Sequence, residues 1–519
     1  MFGQKRNPRI LVVTPEITYL PNGMGNMANA MTAKAGGLAD VSSSLISVLY
    51  EKGVDVHVAL PNYRRMFNVN AMGLVADELR MYMSRLSDRR IHLAEDRIFY
   101  YQNQVYSNYL DHSIKISLAF QREVISHIIP QVQPDLIHCN DWMTGLIPGF
   151  ARRINVPCLF TVHNIHTQKI TLEHIEDMGI DAANFWRHLY YSRIPANYEE
   201  TRSDNPVDLL NSGIFASHFI NTVSPTFLKE IVAGMHSNIM PEIRYEISCK
   251  EKAGCAAGIL NSPDPSYNPK TDKALKYNYD STDFYEKKRK NKLAFQKKAG
   301  LIQNADAPLF FWPSRLDPIQ KGCSLLTDIL YKIISEYWDD NLQVAIVANG
   351  QYQRHFHDIV YMHNLKGRVA VCDFNENLSR LGFAASDFML MPSLFEPCGL
   401  PQMMSPIYGG LPIVNDTGGL HDTIKHINVK ESTGNGFVFN VYDSKGLNWA
   451  IDSAMEFYKL DDDVKLPQIK RVMEDAASQF NHSVTAQKYI DVYEQMLQRP
   501  LLKSFNNYDS NTSYPEKVE

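Results

Sequence analysis

The sequence predicts an α/β protein made of two doubly wound parallel-sheet domains. Short, continuous apolar runs alternate with helical patterns almost from end to end, as expected for strands covered by helices on both faces. About ten such runs occur, too many for one compact sheet of this kind. The alternation pauses between about 262 and 307, where Pro263, Pro265 and Pro269 mark the interdomain crossing. A length of 519 residues accommodates two such domains.

The elements follow in chain order. In the first half Ile10–Val13, Val54–Leu60, Asp135–His138, Cys158–Val162 and Phe219–Val223 read as strands. Leu38, Val41, Leu45, Val48 and Leu49 recur at the 3–4 spacing of a helix face. In the second half Leu309–Pro313, Gln343–Ala348, Val369–Cys372, Phe388–Met391 and Leu411–Val414 read as strands. Glu286–Lys298 carries seven Lys and Arg residues and reads as a helix with a solvated basic face. The last helix spans about 482–499, and the polar tail Lys503–Glu519 is expected to be disordered.

Composition narrows the class. Hydrophobic residues make up 45% and charged residues 21%, an ordinary globular balance. A formal net charge of −5 gives no electrostatic signal for nucleic acid or acidic membranes. No stretch is long and apolar enough for a transmembrane helix, and Ile10–Val13 after the basic Met1–Pro8 is too brief for a signal-peptide core. Seven scattered Cys without a C-x-x-C pair do not suit zinc and read as buried small hydrophobes in a reducing cytoplasm.

Ligands in such sheets bind outside the carboxyl ends of the strands, so the residues after each strand carry the functional signal. After the first strand comes Thr14-Pro15-Glu16, then a long loop, then Lys34-Ala35-Gly36-Gly37-Leu38-Ala39-Asp40. Adjacent glycines before a helix let amides approach a phosphate, with Lys34 adding charge; a plain Gly-rich helix entry reads the same way. Asp141 follows the strand at 136–138 as a helix cap or a site residue, and His163 ends the strand at 159–162 as a structural hydrogen bonder or a ligand contact. Arg315 and Lys321 stand at the mouth of one βα turn, where both can reach an anion or simply be solvated. Glu396-Pro397-Cys398-Gly399-Leu400 can offer a carboxylate to sugar hydroxyls and the Gly399 and Leu400 amides to phosphate. Gly418-Gly419-Leu420 repeats the earlier Gly-Gly-Leu device. Neither turn is the dinucleotide fingerprint or the P-loop, which makes a nicotinamide oxidoreductase a weak rival.

Lys34–Asp40 resembles the K-[TV]-G-G-L-x-D signature of the bacterial and plant glycogen and starch synthases. His138–Trp142, Thr161–Asn164, Asn221–Pro225, Ser314–Leu316, Gln320–Gly322, Phe395–Leu400 and Thr417–Leu420 fall in the same family order, so the resemblance spans roughly residues 9–480. It implies a GT-B fold, two Rossmann-like domains facing a central cleft. The boundaries expected are 1–262 for the acceptor-side domain, 263–481 for the nucleotide-sugar domain, 482–500 for a helix returning to the first domain, and 501–519 for the tail.

The activity implied is transfer of glucose, with retention, from ADP-glucose or UDP-glucose (ADP-glucose favoured) to the non-reducing end of an α-1,4-glucan such as glycogen or a malto-oligosaccharide. No metal or cofactor is expected. By resemblance Glu396, Lys321, Arg315, His163 and Asp141 form the catalytic set. Lys34, Gly36, Gly37, Asp40, Phe374, Cys398, Gly399, Leu400, Gly418 and Gly419 bind substrate, with Phe374 stacking on the base. The chain departs from the family in its 17 residues between Glu16 and Lys34, and in Ala35, Asn261-Ser262-Pro263-Asp264, Leu394 and Pro401. These departures keep two alternatives open: a weak or inactive glucan-binding homologue, and another retaining glycosyltransferase of this fold.

Overall fold

The computed structural model describes residues 6–25, 28, 31–67, 90–107, 109–237 and 239–502. Met1–Lys5, Met27 and the tail Lys503–Glu519 lie outside the described residues.

The strands, in chain order, are β1 (Arg9–Val13), β2 (Asp55–Pro61), β3 (Ile91–Ala94), β4 (Leu136–Asn140), β5 (Cys158–Val162), β6 (Lys169–Ile170), β7 (Val207–Asp208), β8 (Phe219–Thr222), β9 (Ala256–Gly258), β10 (Leu309–Trp312), β11 (Gln343–Val347), β12 (Val369–Cys372), β13 (Phe388–Met391), β14 (Leu411–Asn415) and β15 (Phe437–Phe439). They build a seven-stranded sheet of order β3-β2-β1-β4-β5-β8-β9 and a six-stranded sheet of order β12-β11-β10-β13-β14-β15; β6 and β7 form a separate antiparallel ribbon. Every pairing in the two large sheets is parallel. All ten apolar runs read from the sequence are strands. The five strands it did not reveal are two to four residues long, and Ala256-Ala257-Gly258 of β9 has almost no side-chain signal.

Strand order reverses between β1 and β4 in the first sheet and between β10 and β13 in the second. Ligand crevices open at such reversals, because the flanking loops diverge to opposite faces. Thr14–Glu16 and Asp141 leave the first reversal; Ser314-Arg315 and Pro392–Glu396 leave the second.

The helix Gly37–Glu51 buries Leu38, Val41, Leu45 and Leu49, as its spacing predicts. It also buries Ser42, Ser43 and Ser44 against the chain after β1, where Ser43 Oγ accepts the Thr18 and Tyr19 amides at 2.8 and 3.1 Å, and the final helix, His482–Leu497, packs against it as well. That final helix joins the first domain's core through Ala486, Tyr489, Ile490 and Tyr493. The Tyr493 hydroxyl lies 2.7 Å from His138 Nδ1, and Asn221 Nδ2 donates to the Tyr489 hydroxyl at 3.1 Å. The two interdomain crossings run side by side: the Ser262 hydroxyl donates to the Asn481 carbonyl and sits 2.5 Å from the Thr485 hydroxyl.

One expectation fails. In the basic helix Phe284–Ala299, Lys288 and Lys292 are buried. Lys288 Nζ donates to the carbonyls of Ser386 and Tyr408, and Lys292 Nζ pairs with Asp387 at 2.5 Å. Their long stems let the ammonium groups reach acceptors just before β13 and β14, so only part of the basic face is solvated.

Candidate active site

The second domain supplies a buried ion pair. Lys321 Nζ lies 2.5 Å from Glu396 Oε2, which also accepts from the Ser393 hydroxyl at 3.2 Å. Gly322 makes the pair possible: it has a φ of 71°, and a Cβ there would collide with the Pro392 carbonyl. The helix after β10 therefore starts tight against the loop after β13, which puts Lys321 beside Glu396. Arg315, exposed at the end of β10, has no hydrogen bond or ion pair among the described residues. The amides of Gly399 and Leu400, just before the helix Pro401–Ile407, likewise donate to no protein acceptor among the described residues. A free guanidinium, a lysine and two open amides thus gather at one strand edge, a combination suited to a phosphorylated ligand.

The first domain supplies Asp141 and His163. Asp141 has a φ of 57° and makes no side-chain cap. Its Oδ1 accepts the His163 amide at 2.7 Å and its Oδ2 accepts Asn164 Nδ2 at 3.0 Å. The capping reading is therefore wrong, because the carboxylate turns away from its own helix to tie the end of β4 to the end of β5. Burial raises the Asp141 carboxyl to about 7, against the pull of these donors and with help from the nearby charge of Glu16. His163 Nε2 lies 2.9 Å from Asn140 Oδ1, and burial lowers its pKa to about 3, so the ring is neutral.

Lys34 Nζ pairs with Asp40 at 2.8 Å, and Asp40 also accepts from the Thr18 hydroxyl at 2.7 Å. Asp40 thus orients Lys34. Sequence reasoning missed Glu16, although it noted the tripeptide that contains it. This buried carboxylate accepts the Ala35 and Gly36 amides at 2.8 and 2.9 Å and the Tyr106 hydroxyl at 2.6 Å. The Gly36 amide, expected to face phosphate, is therefore already bonded, whereas the Gly37 amide has no protein acceptor among the described residues.

Gly418 and Gly419 need a second correction. Glu230 Oε1 takes the Gly418 amide at 2.8 Å, and the Glu396 carbonyl takes the Gly419 amide at 2.9 Å. A Cβ on Gly418 would strike the Glu396 carbonyl, and one on Gly419 the Cys398 carbonyl. These glycines admit the Glu396 loop at close range and offer no open amides to a ligand. Cys398 is buried under that loop against Val223 and Met403, with its thiol pushed up to about 12 by burial. Its side chain packs between the domains instead of facing the cleft. Phe374 is 49% exposed, held by its amide on Asn349 Oδ1 at 2.8 Å, with its ring open to a partner.

The two halves meet. A Cβ on Gly37 would stand 3.5 Å from Leu400 Cδ1, so the two helix-entry turns face each other across the cleft. Ser224 and Thr226 of the first domain donate to the Asp422 carboxylate of the second at 2.5 and 2.7 Å. Glu230, besides holding Gly418, lies 2.8 Å from His236 Nε2. Neither Glu230 nor Asp422 was singled out from the sequence, since single acids on helices give no motif.

A family model described as "Starch synthase catalytic domain" matches residues 9–241, and one described as "Glycosyl transferases group 1" matches residues 295–466. A glycogen synthase of Moorella thermoacetica is 31% identical over 95% of this chain and 97% of its own. A glycogen synthase of Clostridium beijerinckii is 32% identical over 89% and 96%. Among solved structures, the catalytic domain of starch synthase IV from Arabidopsis thaliana, bound to ADP and acarbose, aligns with a TM-score of 0.75 and 24% identity, covering 95% of this chain and all of that one. A sucrose-phosphate synthase from Thermosynechococcus elongatus aligns at 0.55 with 18% identity over 95% and 99%. The shared fold is GT-B. Among the described residues no helix is long and apolar enough to cross a membrane.

Proposed function

The chain belongs to the glycogen and starch synthase family, and from that premise we propose that it transfers glucose from ADP-glucose to the non-reducing end of an α-1,4-glucan, with retention and without a cofactor. The observation that carries the proposal is the buried Lys321–Glu396 pair, set beside the unpaired Arg315 and the open Gly399 and Leu400 amides. The donor's diphosphate brings negative charge that grows as the glycosyl bond breaks. Arg315, Lys321 and the two amides are placed to stabilise that charge without rearrangement. Glu396 binds the glucose hydroxyls and steadies positive charge at the anomeric carbon, its carboxylate held in place by Lys321 and Ser393. Asp141 fixes the backbone of His163, so that the neutral ring and its amide define the donor-glucose wall. Lys34, oriented by Asp40, lies on the acceptor side of the donor phosphates, and Phe374 gives the base a stacking face.

The cation set supports charge neutralisation without a metal, and because an aromatic face does not read base edges, UDP-glucose stands as a possible donor beside the favoured ADP-glucose. The test is nucleoside diphosphate release from ADP-glucose and from UDP-glucose, each with and without glycogen. Release that requires glycogen, with the added chain removed by an α-1,4-specific hydrolase, supports the proposal and names the donor. Glycogen binding without turnover of either donor overturns it in favour of a binding homologue.

A further inference from the structure

The stretch between Glu16 and Lys34 leaves the end of β1 and returns to it at one neck. Ile17 and Ala33 pair antiparallel there, through amide-to-carbonyl bonds of 2.9 and 2.7 Å. The Thr32 hydroxyl adds a bond to the Thr18 carbonyl at 2.9 Å. Because 17 residues intervene, bonds across the neck, and not a short covalent link, set where Lys34 stands.

The grip continues on the other side of Lys34. Glu16 Oε2 accepts the successive amides of Ala35 and Gly36 at 2.8 and 2.9 Å. Ala33 and Ala35 flank Lys34 in the chain, so the lysine's backbone is held from both directions. Glu16 Oε1 is occupied as well, by the Tyr106 hydroxyl at 2.6 Å, which reaches in from the loop after the helix Arg97–Tyr100. The carboxylate is buried, and the Thr14 hydroxyl donates to its own carbonyl at 3.0 Å, which ties the grip to the end of β1. Two successive amides aimed at one point form an anion-binding nest. Glu16 fills that nest from within the protein, just before the helix Gly37–Glu51, where negative charge is favourable. The same charge repels a phosphate from the nest. What the turn still offers a ligand is the Lys34 ammonium, on a side chain 40% exposed, and the Gly37 amide. The donor's diphosphate is left to Arg315, Lys321 and the Gly399 and Leu400 amides of the second domain.

We propose that Glu16 is a positioning residue for the transfer: it acts through Lys34, whose turn it fixes against β1, and Tyr106 holds it in the orientation that does so. The part given to Lys34 rests on the function proposed above; the grip on its turn rests on the geometry alone. Since the second domain binds the donor without help from Glu16, loss of the grip falls on kcat and spares the donor KM.

The test is steady-state kinetics on the full chain, with amide hydrogen exchange measured across 33–37. Glu16→Ala should lower kcat about 10²-fold, the scale for misplacing a group by about 1 Å, and leave the KM for nucleotide sugar nearly unchanged. Glu16→Gln keeps an oxygen for both amides and a nitrogen that can donate to Tyr106, so it should recover most of the loss. In a Lys34→Ala background Glu16→Ala should cost little more, because residues acting as one unit are not additive. If Glu16→Ala does not fold, Tyr106→Phe carries the same reading: a several-fold lower kcat that vanishes in the Lys34→Ala background. A full second loss in that background, or a loss in Glu16→Gln equal to that in Glu16→Ala, overturns the inference. So does a rise in donor KM without a fall in kcat. The Ala35 and Gly36 amides should exchange faster in Glu16→Ala whether or not the protein is active, and unchanged exchange overturns this inference alone. Faster exchange in a chain whose parent turns over neither donor upholds the grip and overturns the proposed function.

Discussion

Glu230, on a first-domain helix, holds the amide of Gly418, on the second domain, at 2.8 Å. The bond is charge-assisted and bridges the cleft beside the Glu396 loop, so it belongs to the closed arrangement. Removing it should favour opening by about 1.5–3 kcal/mol, the scale of a hydrogen bond to a charged group. Glu230→Ala should therefore scatter as a more open particle in small-angle X-ray measurements and need more nucleotide sugar to compact. An unchanged profile, with and without donor, would show that the bond does not set the domain angle.

Lys321→Ala and Glu396→Ala should each lower kcat by about 10²–10³, the scale for loss of one preorganised electrostatic contact. Each also strands the other's charge at the edge of the cleft. Because water can enter there, the stability loss should be smaller than the roughly 3–5 kcal/mol of a fully buried broken pair. Steady-state kinetics with a thermal melt on the same samples separates the two effects. Parental turnover in a folded variant would remove that residue from the mechanism.

Asp141 predicts a pH dependence of stability. Its carboxyl is raised from 3.8 to about 7 by burial, so the folded chain holds a proton that the unfolded chain has already lost. Stability from this group is thus present at low pH and declines as pH rises from about 4 to about 7. Asp141→Asn keeps an oxygen for the His163 amide and removes the charge. It should raise the denaturation midpoint at pH 8 and leave it nearly unchanged at pH 4. Equal shifts at both values would contradict the raised pKa.

His138 acts in the opposite direction. It is buried between the Tyr493 and Thr161 hydroxyls, and burial lowers its pKa from 6.5 to about 3. The unfolded chain takes up a proton below 6.5 that the folded chain refuses, so stability falls as pH drops from 6.5 towards 3. The slope from one such group is about 1.4 kcal/mol per pH unit. His138→Gln should flatten the acid limb of the stability curve by that amount, measured by urea titration from pH 4 to 7.

The frame was legible in the sequence because strands buried on both faces are continuous apolar runs. All ten runs became strands, and the catalytic candidates other than His163, which follows β5, fell at the two reversals of strand order. What stayed hidden shares a physical cause: the sequence shows that a residue can bond, not with which partner. The Gly36, Gly418 and Gly419 amides looked open, yet Glu16, Glu230 and the Glu396 carbonyl take them. Lys288 and Lys292 looked solvated, yet they reach carbonyls and Asp387 inside the second domain. Asp141 could read as a cap because its sequence neighbours begin a helix, whereas its partners His163 and Asn164 follow β5, 22 and 23 residues on.

The return of the last helix to the first domain has a consequence for synthesis. The first domain's polypeptide emerges from the ribosome early, but its surface at His138 and Asn221 is completed only by Tyr493 and Tyr489. Until those residues are made, a nascent first domain carries buried-type polar groups and apolar surface with nothing to cover them. The second domain, which lies between, is translated and can fold while its host waits. The final helix is thus a closing clasp, and loss of a few residues from helix His482–Leu497 should impair the half of the molecule that was made first.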